Sequence, residues 1–117
     1  MAIVKSNLVK AQNKAGGKGE ITIEHLLSPA ELGKGCDMFA KVTIGPGCSI
    51  GLHEHHGNGE AYHILQGEAL YNDNGREITL HAGETSFCPD GEKHAIANAA
   101  QSGDLVFMAL IVHTVKE

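Results

Sequence analysis

From Gly33 onward, glycine breaks this chain about every 8–12 residues, with short β-branched runs between the breaks. Helices do not tolerate that punctuation, since each interior glycine costs about 1 kcal/mol relative to alanine. No long stretch carries apolar residues at i, i+3, i+4 and i+7 either. Short strands remain, so the pattern predicts an all-β sandwich or barrel. A chain of 117 residues has room for one such domain and little else.

The strands can be placed roughly. Ile21–Leu27 reads as the first, and Ser28–Leu32 as one helical turn with Ser28 as cap and Pro29 in first position. Met38 to Ile44 alternates, which puts Met38, Ala40, Val42 and Ile44 on the core face. A strand through His55 and another from Glu60 to Leu65 flank Gly57-Asn58-Gly59, which predicts a hairpin. Asn72-Asp73-Asn74-Gly75 repeats the device between Ala69–Tyr71 and Arg76–Leu80. Strands over Thr85–Cys88, His94–Asn98 and the apolar run Leu105–Val112 close the set. Residues 1–20 read as an N-terminal arm or edge segment, and 21–117 as the barrel domain.

Charge narrows the partners. Nine Lys+Arg against 14 Asp+Glu give a net charge of −5, with Arg76 the single arginine. Nucleic acid is not expected, because phosphate binding needs a basic face. No run approaches the ~18–20 apolar residues of a membrane span, and no signal-peptide core is apparent. The three cysteines, Cys36, Cys48 and Cys88, form neither a disulfide framework nor a C-x-x-C site, and suit a reducing cytoplasm.

Eight histidines in so short a chain need an explanation. His53 and His55 stand two apart on a strand, so both point to one face. Glu60 returns across the turn toward them, and His94 on a later strand completes three imidazoles and one carboxylate. That donor set suits one divalent transition ion per chain (Mn, Fe, Ni or Zn), and the spacing does not choose among them. Two cis positions stay open in octahedral geometry, enough for a bidentate small molecule.

These residues resemble the cupin superfamily. Its first motif, G, five residues, H-x-H, three or four residues, E, six residues, G, is matched by Gly47, His53, His55, Glu60 and Gly67. Its second, G, five residues, P-x-G, two residues, H, three residues, N, is matched by Gly83, Pro89, Gly91, His94 and Asn98. The resemblance implies a double-stranded β-helix, the jelly-roll barrel, with the metal inside and the pocket open to solvent. It makes Gly47, Gly67, Gly83 and Gly91 turn residues with positive φ, and Asn98 structural.

Other residues are weaker candidates. Tyr62 shares the face of Glu60 and is a candidate catalytic group, as is His56 in the turn. His63 points the other way, and His25, His81 and His113 are expected at surfaces or edges. Met38, Ala40, Phe87, Met108 and Leu110 are candidate pocket walls, and Lys41 or Lys93 candidate charge partners for an anion. A catalytic thiol at Cys48 or Cys88 lacks an assigned base. The resemblance covers decarboxylases, dioxygenases, isomerases and lyases, so a metal-dependent enzyme acting on a small oxygen-rich molecule is the leading expectation. The alternative is a non-catalytic module that binds a sugar or organic acid. A homodimer is expected, since pairing would cover exposed strand edges and the apolar last strand.

Overall fold

The computed structural model describes residues 3–114. The outermost residues of the expected arm (1–2) and barrel domain (115–117) lie outside that range. Ten strands follow one another: β1 (Asn7–Gln12), β2 (Glu20–His25), β3 (Cys36–Ile44), β4 (Ser49–Glu54), β5 (Asn58–Gln66), β6 (Glu68–Asp73), β7 (Arg76–His81), β8 (Thr85–Cys88), β9 (Lys93–Ala97) and β10 (Leu105–His113). A single helical turn, α1 (Pro29–Leu32), starts where expected. The Ser28 backbone N–H donates to the Glu31 carboxylate at 2.7 Å, as a capping box requires. No helix among the described residues is long and apolar enough to cross a membrane.

Two antiparallel sheets form the double-stranded β-helix. One has the order β1-β2-β3-β10-β5-β8, the other β4-β9-β6-β7. Period-two alternation sets the core between them. Ile21 and Ile23, then Ala40, Val42 and Ile44, then Leu105, Phe107 and Ala109 point inward from three neighbouring strands of the larger sheet. Ile50, Ala69, Tyr71, Leu80 and Ile96 face them from the smaller one. β1 pairs only with β2, so residues 7–12 form the edge of the larger sheet.

Turn chemistry divides the two expected hairpins. Asn74 and Gly75 both have positive φ (53° and 95°) and join β6 to β7, the primed turn that suits the twist of a hairpin. Asn58-Gly59 does not make a turn. Both residues lie in β5, and β4 and β5 belong to different sheets. The 55–57 connection therefore crosses between sheets, with Gly57 (φ 77°) as its left-handed residue. Asn58 is occupied elsewhere, by side-chain hydrogen bonds to His55 and Asp37.

Three of the candidate pocket walls, all on strands after Gly83, face outward. β8 buries Ser86 and Cys88 and turns Phe87 outward, where it is 53% exposed. β10 sends Leu105, Phe107 and Ala109 inward and Met108 and Leu110 outward. Gly47, Gly67, Gly83 and Gly91 all have positive φ. At Gly67 (φ 87°) even a methyl group would sit 2.9 Å from the Asp104 carbonyl oxygen, so close approach adds to the conformational demand.

Asn98 is buried and ties the loops at the far end from the histidines. Its amide donates to the Ile44 and Gly103 carbonyls, both at 2.9 Å, and its oxygen accepts from the Ala100 N–H. Asn98→Ala leaves two carbonyls without that donor and is expected to cost about 2–3 kcal/mol, read as a lower urea midpoint at unchanged m-value.

Candidate metal centre

His53 sits near the end of β4 and is the register partner of His94 on β9. A bulge between Ile50 and His53 shifts the strand so that His53 turns into the barrel. His55 lies one residue beyond β4. Its backbone is held by the 89–92 turn, His55 N–H donating to the Glu92 carbonyl and Gly91 N–H to the His55 carbonyl. Glu60 comes from β5 in the other sheet. The four donor groups thus meet across the gap between sheets, at one end of the barrel.

Their donor atoms converge. Glu60 Oε1 is 3.1 Å from His55 Nε2, 3.0 Å from His94 Nε2 and 3.7 Å from His53 Nε2, and the two Nε2 atoms of His55 and His94 are 3.0 Å apart. Neighbouring ligands on an octahedral ion stand about 3.0 Å apart for bonds of ~2.1 Å, so three of these atoms already have the spacing of one octahedral face. All four groups place a donor atom within 4.8 Å of one another. The residues fit a divalent ion, and the quartet could hold one.

Each imidazole is oriented through its other nitrogen. His53 Nδ1–H donates to the Gly51 carbonyl at 2.8 Å, and His55 Nδ1–H to Asn58 Oδ1 at 2.7 Å. His94 Nδ1 lies 2.8 Å from the Tyr71 hydroxyl. Such partners fix tautomer and ring orientation, leaving Nε2 lone pairs for a cation. Asn58 in turn donates to Asp37 at 3.0 Å, and Asp37 accepts from His113 at the surface.

The electrostatics revolve around Glu60, which is 3% exposed. Burial opposes its charge, but the three imidazoles, His55 and His94 at hydrogen-bond distance and His53 at 3.7 Å, outweigh that and hold its carboxyl far below the usual range. The same carboxylate draws His55 upward, whereas burial lowers His94. Tyr62 lies fully buried and stacks on the His94 ring at 4.7 Å. Burial, then the Glu60 charge, pushes its phenol well above the ordinary value, so it stays protonated. Burial likewise pushes the Tyr71 phenol up to about 12 and the Cys88 thiol up to about 11, which makes Cys88 a poor nucleophile.

A cavity of about 180 Å³ opens beside the quartet. Ile23, Met38, Val42, Ile50, Ala109 and Ile111 wall it, with His53, His55, Glu60, Tyr62 and Lys14 on its polar side. Met38 is the one expected wall residue found there; Ala40 belongs to the core, and Phe87, Met108 and Leu110 are on the outside. Lys41 and Lys93 are absent from the lining, and the cation present is Lys14 of the N-terminal segment. His56 is exposed, 3.0 Å from Glu54, and does not line the cavity. Tyr71 and Asn58 were not anticipated. The only sequence signal for Asn58 is its position three residues after His55, and for Tyr71 its inward parity on a strand beside His94.

The cupin domain profile matches residues 40–112. An oxalate-binding protein from Thermotoga maritima is 41% identical over 103 residues, which covers 88% of this chain and 84% of that one. The crystal structure of a predicted oxalate decarboxylase from Thermotoga maritima superposes with a TM-score of 0.90 at 37% identity, over 97% of this chain and all of that one. A Cupin 2 conserved barrel domain protein from Salinispora arenicola shares the fold (TM-score 0.72, 21% identity, 92% of this chain and 82% of that one). With both motifs intact, both sheets in place and the profile spanning more than half its length, this chain belongs to the cupin family.

Proposed function

We propose that this cupin binds one divalent transition ion through His53, His55, Glu60 and His94 and takes a small carboxylate onto it. Glu60 is the observation that carries the reading: a carboxylate buried among three imidazole nitrogens is a place for a cation. When bound, such an ion supplies Lewis acidity and open positions for a ligand oxygen. The cavity supports a small ligand, since about 180 Å³ equals roughly six water volumes. The 41%-identical oxalate-binding relative agrees with that size. A reducing, cytoplasmic setting suits the three unpaired thiols.

Turnover adds one requirement, a proton donor. Tyr62, on the cavity wall beside Glu60, is the residue assigned to it; burial and the Glu60 charge raise its phenol, which suits donating a hydrogen bond to a ligand oxygen better than full proton transfer. His56, paired with Glu54 outside the cavity, has no part in this assignment. The competing reading is a binding module without turnover. It is favoured by the scarcity of acid–base groups on the wall: beyond the ligands themselves, only Tyr62 and Lys14 carry one.

A second copy of this chain is the proposed partner. Register aligns Phe39, Leu110, Ala61 and Phe87 in one row across β3, β10, β5 and β8, on the outer face of the larger sheet. The Phe87 ring lies against Gly59, where a Cβ would come within 2.7 Å of it. An apolar row of that length across four strands is what a self-complementary two-fold interface uses. Light scattering is expected to give twice the chain mass for the wild type and the single-chain mass for Leu110→Glu with Phe87→Glu. A monomeric wild type rejects the dimer.

Elemental analysis of untagged protein is expected to find about one transition ion per chain, and His53→Ala with His94→Ala to lose it. Full stoichiometry in that double variant rejects the assignment. Metal-loaded protein is then offered oxalate and other small carboxylates: binding with product release supports the enzyme, and binding alone the module. Asn58→Ala, which removes the acceptor of His55 Nδ1, is expected to weaken metal binding about tenfold to a hundredfold in a chelator competition.

A further inference from the structure

The turn at residues 14–16 is built with care for a segment outside the two motifs. Asn13 (φ 50°) and Ala15 (φ 54°) both adopt left-handed backbone, and Lys14 stands between them. For alanine that conformation is unfavourable and persists only where the surroundings impose it. Here they do. Asn13 N–H donates to the Gly19 carbonyl and Gly19 N–H to Asn13 Oδ1, closing the loop at its base. Ser49 N–H donates to the Lys18 carbonyl at 2.8 Å, and Lys18 N–H to Ser49 Oγ at 3.0 Å, fastening it to β4.

The loop then presses backbone against backbone. A Cβ on Gly51 would fall 2.0 Å from the Ala15 carbonyl oxygen, and one on Gly17 would fall 2.3 Å from the Ser49 carbonyl oxygen. Neither position accepts a side chain, so the loop has one seat on β4. Gly51 is also the residue whose carbonyl orients His53. A single strand residue therefore sets both a quartet imidazole and the loop that puts Lys14 on the cavity wall. Among the residues that line the cavity, Lys14 is the one lysine or arginine.

Charge arithmetic gives that lysine a task. With a divalent ion, three neutral imidazoles and one carboxylate, the centre carries +1 and matches one carboxylate of a ligand. A second carboxylate that does not chelate the ion would lie in a lining with six apolar side chains, where a carboxylate without a cationic partner is strongly unfavourable. We propose that Lys14 takes the second carboxylate of a two- or three-carbon dicarboxylate whose first carboxylate is held at the His53–His55–Glu60–His94 centre. This rests on the metal–carboxylate reading above and adds the second anion site. Oxalate, with six non-hydrogen atoms, is the smallest member of the class and fits a space of roughly six water volumes.

Calorimetric titration of manganese-loaded protein separates the possibilities, with oxalate as the dianion and formate as the monoanion. Lys14→Met is expected to lose about tenfold to a hundredfold in oxalate affinity, the scale of one charged hydrogen bond, with formate and manganese affinities unchanged. Lys14→Arg is expected to stay within a few-fold of wild type for oxalate. Oxalate binding by Lys14→Met at wild-type strength overturns the role of Lys14 and leaves the metal–carboxylate reading intact. An equal loss of oxalate and formate also overturns it, because the residue would then support the cavity as a whole. A wild-type protein that loads manganese but binds neither anion overturns both.

Discussion

A buried negative charge is the constraint around which this barrel is arranged. Glu60 reaches from one sheet into the gap beneath the other, and its carboxylate is nearly sealed from water. A lone carboxylate there would take up a proton. It does not, because three imidazole nitrogens surround it and two of them, on His55 and His94, hydrogen-bond its charged form. Without a metal the three rings must share protons around that carboxylate, which is why His55 is drawn upward while burial lowers His94. A divalent cation answers the same demand with one charge centre in place of several protons. The arrangement therefore suits a cation on electrostatic grounds, before any motif is considered.

Holding four donors from two sheets in one place needs rigidity outside the quartet, and each imidazole has its own source of it. His53 depends on backbone alone, through Gly51. His55 depends on a chain of side chains, Asn58 and Asp37, that ends at His113 on the surface. His94 depends on a buried phenol, Tyr71, and on the face of Tyr62, itself packed on Phe107. The three supports share no residue, although the rings they hold pack edge to face on one another. The hydrophobic core enters here directly: Phe107 and Tyr62 fill the barrel below His94 and set the floor of the site.

What could be read from the sequence, and what could not, follows from the same geometry. The quartet was legible because H-x-H on a strand fixes parity and the motif spacing fixes the rest. The α1 cap and the Asn74-Gly75 hairpin were legible because their chemistry is local. Asn58-Gly59 misled for the opposite reason. The dipeptide suits a hairpin, but its asparagine is engaged by His55 and Asp37, and the chain crosses to the other sheet instead. Sheet membership is a long-range property that local turn preference does not encode. The pocket walls went astray through parity: β8 has only four residues, and β10 is apolar on both faces because its outer face carries the Phe39–Leu110–Ala61–Phe87 row. Lys14 escaped because glycine-rich residues 15–19 resemble a tether, whereas Gly17 is there to meet β4 at backbone distance.

The net charge of −5 does not conflict with the proposed uptake of a small anion, because the two act at different ranges. Surface charges are screened within ~8 Å at physiological ionic strength, so the acidic exterior has little effect on a small anion already at the mouth. Inside, six apolar side chains replace water and strengthen each interaction with the centre. The same walls make unpaired charge unfavourable, so affinity there turns on matching each negative group with a positive one. Volume then limits how many groups can be present at all. A cavity of about 180 Å³ suits small acids, and its apolar lining disfavours ligands whose remaining polar atoms find no partner. On the proposed reading, selectivity follows from the count of charges and the count of atoms together, the first set by the quartet with Lys14 and the second by the apolar wall.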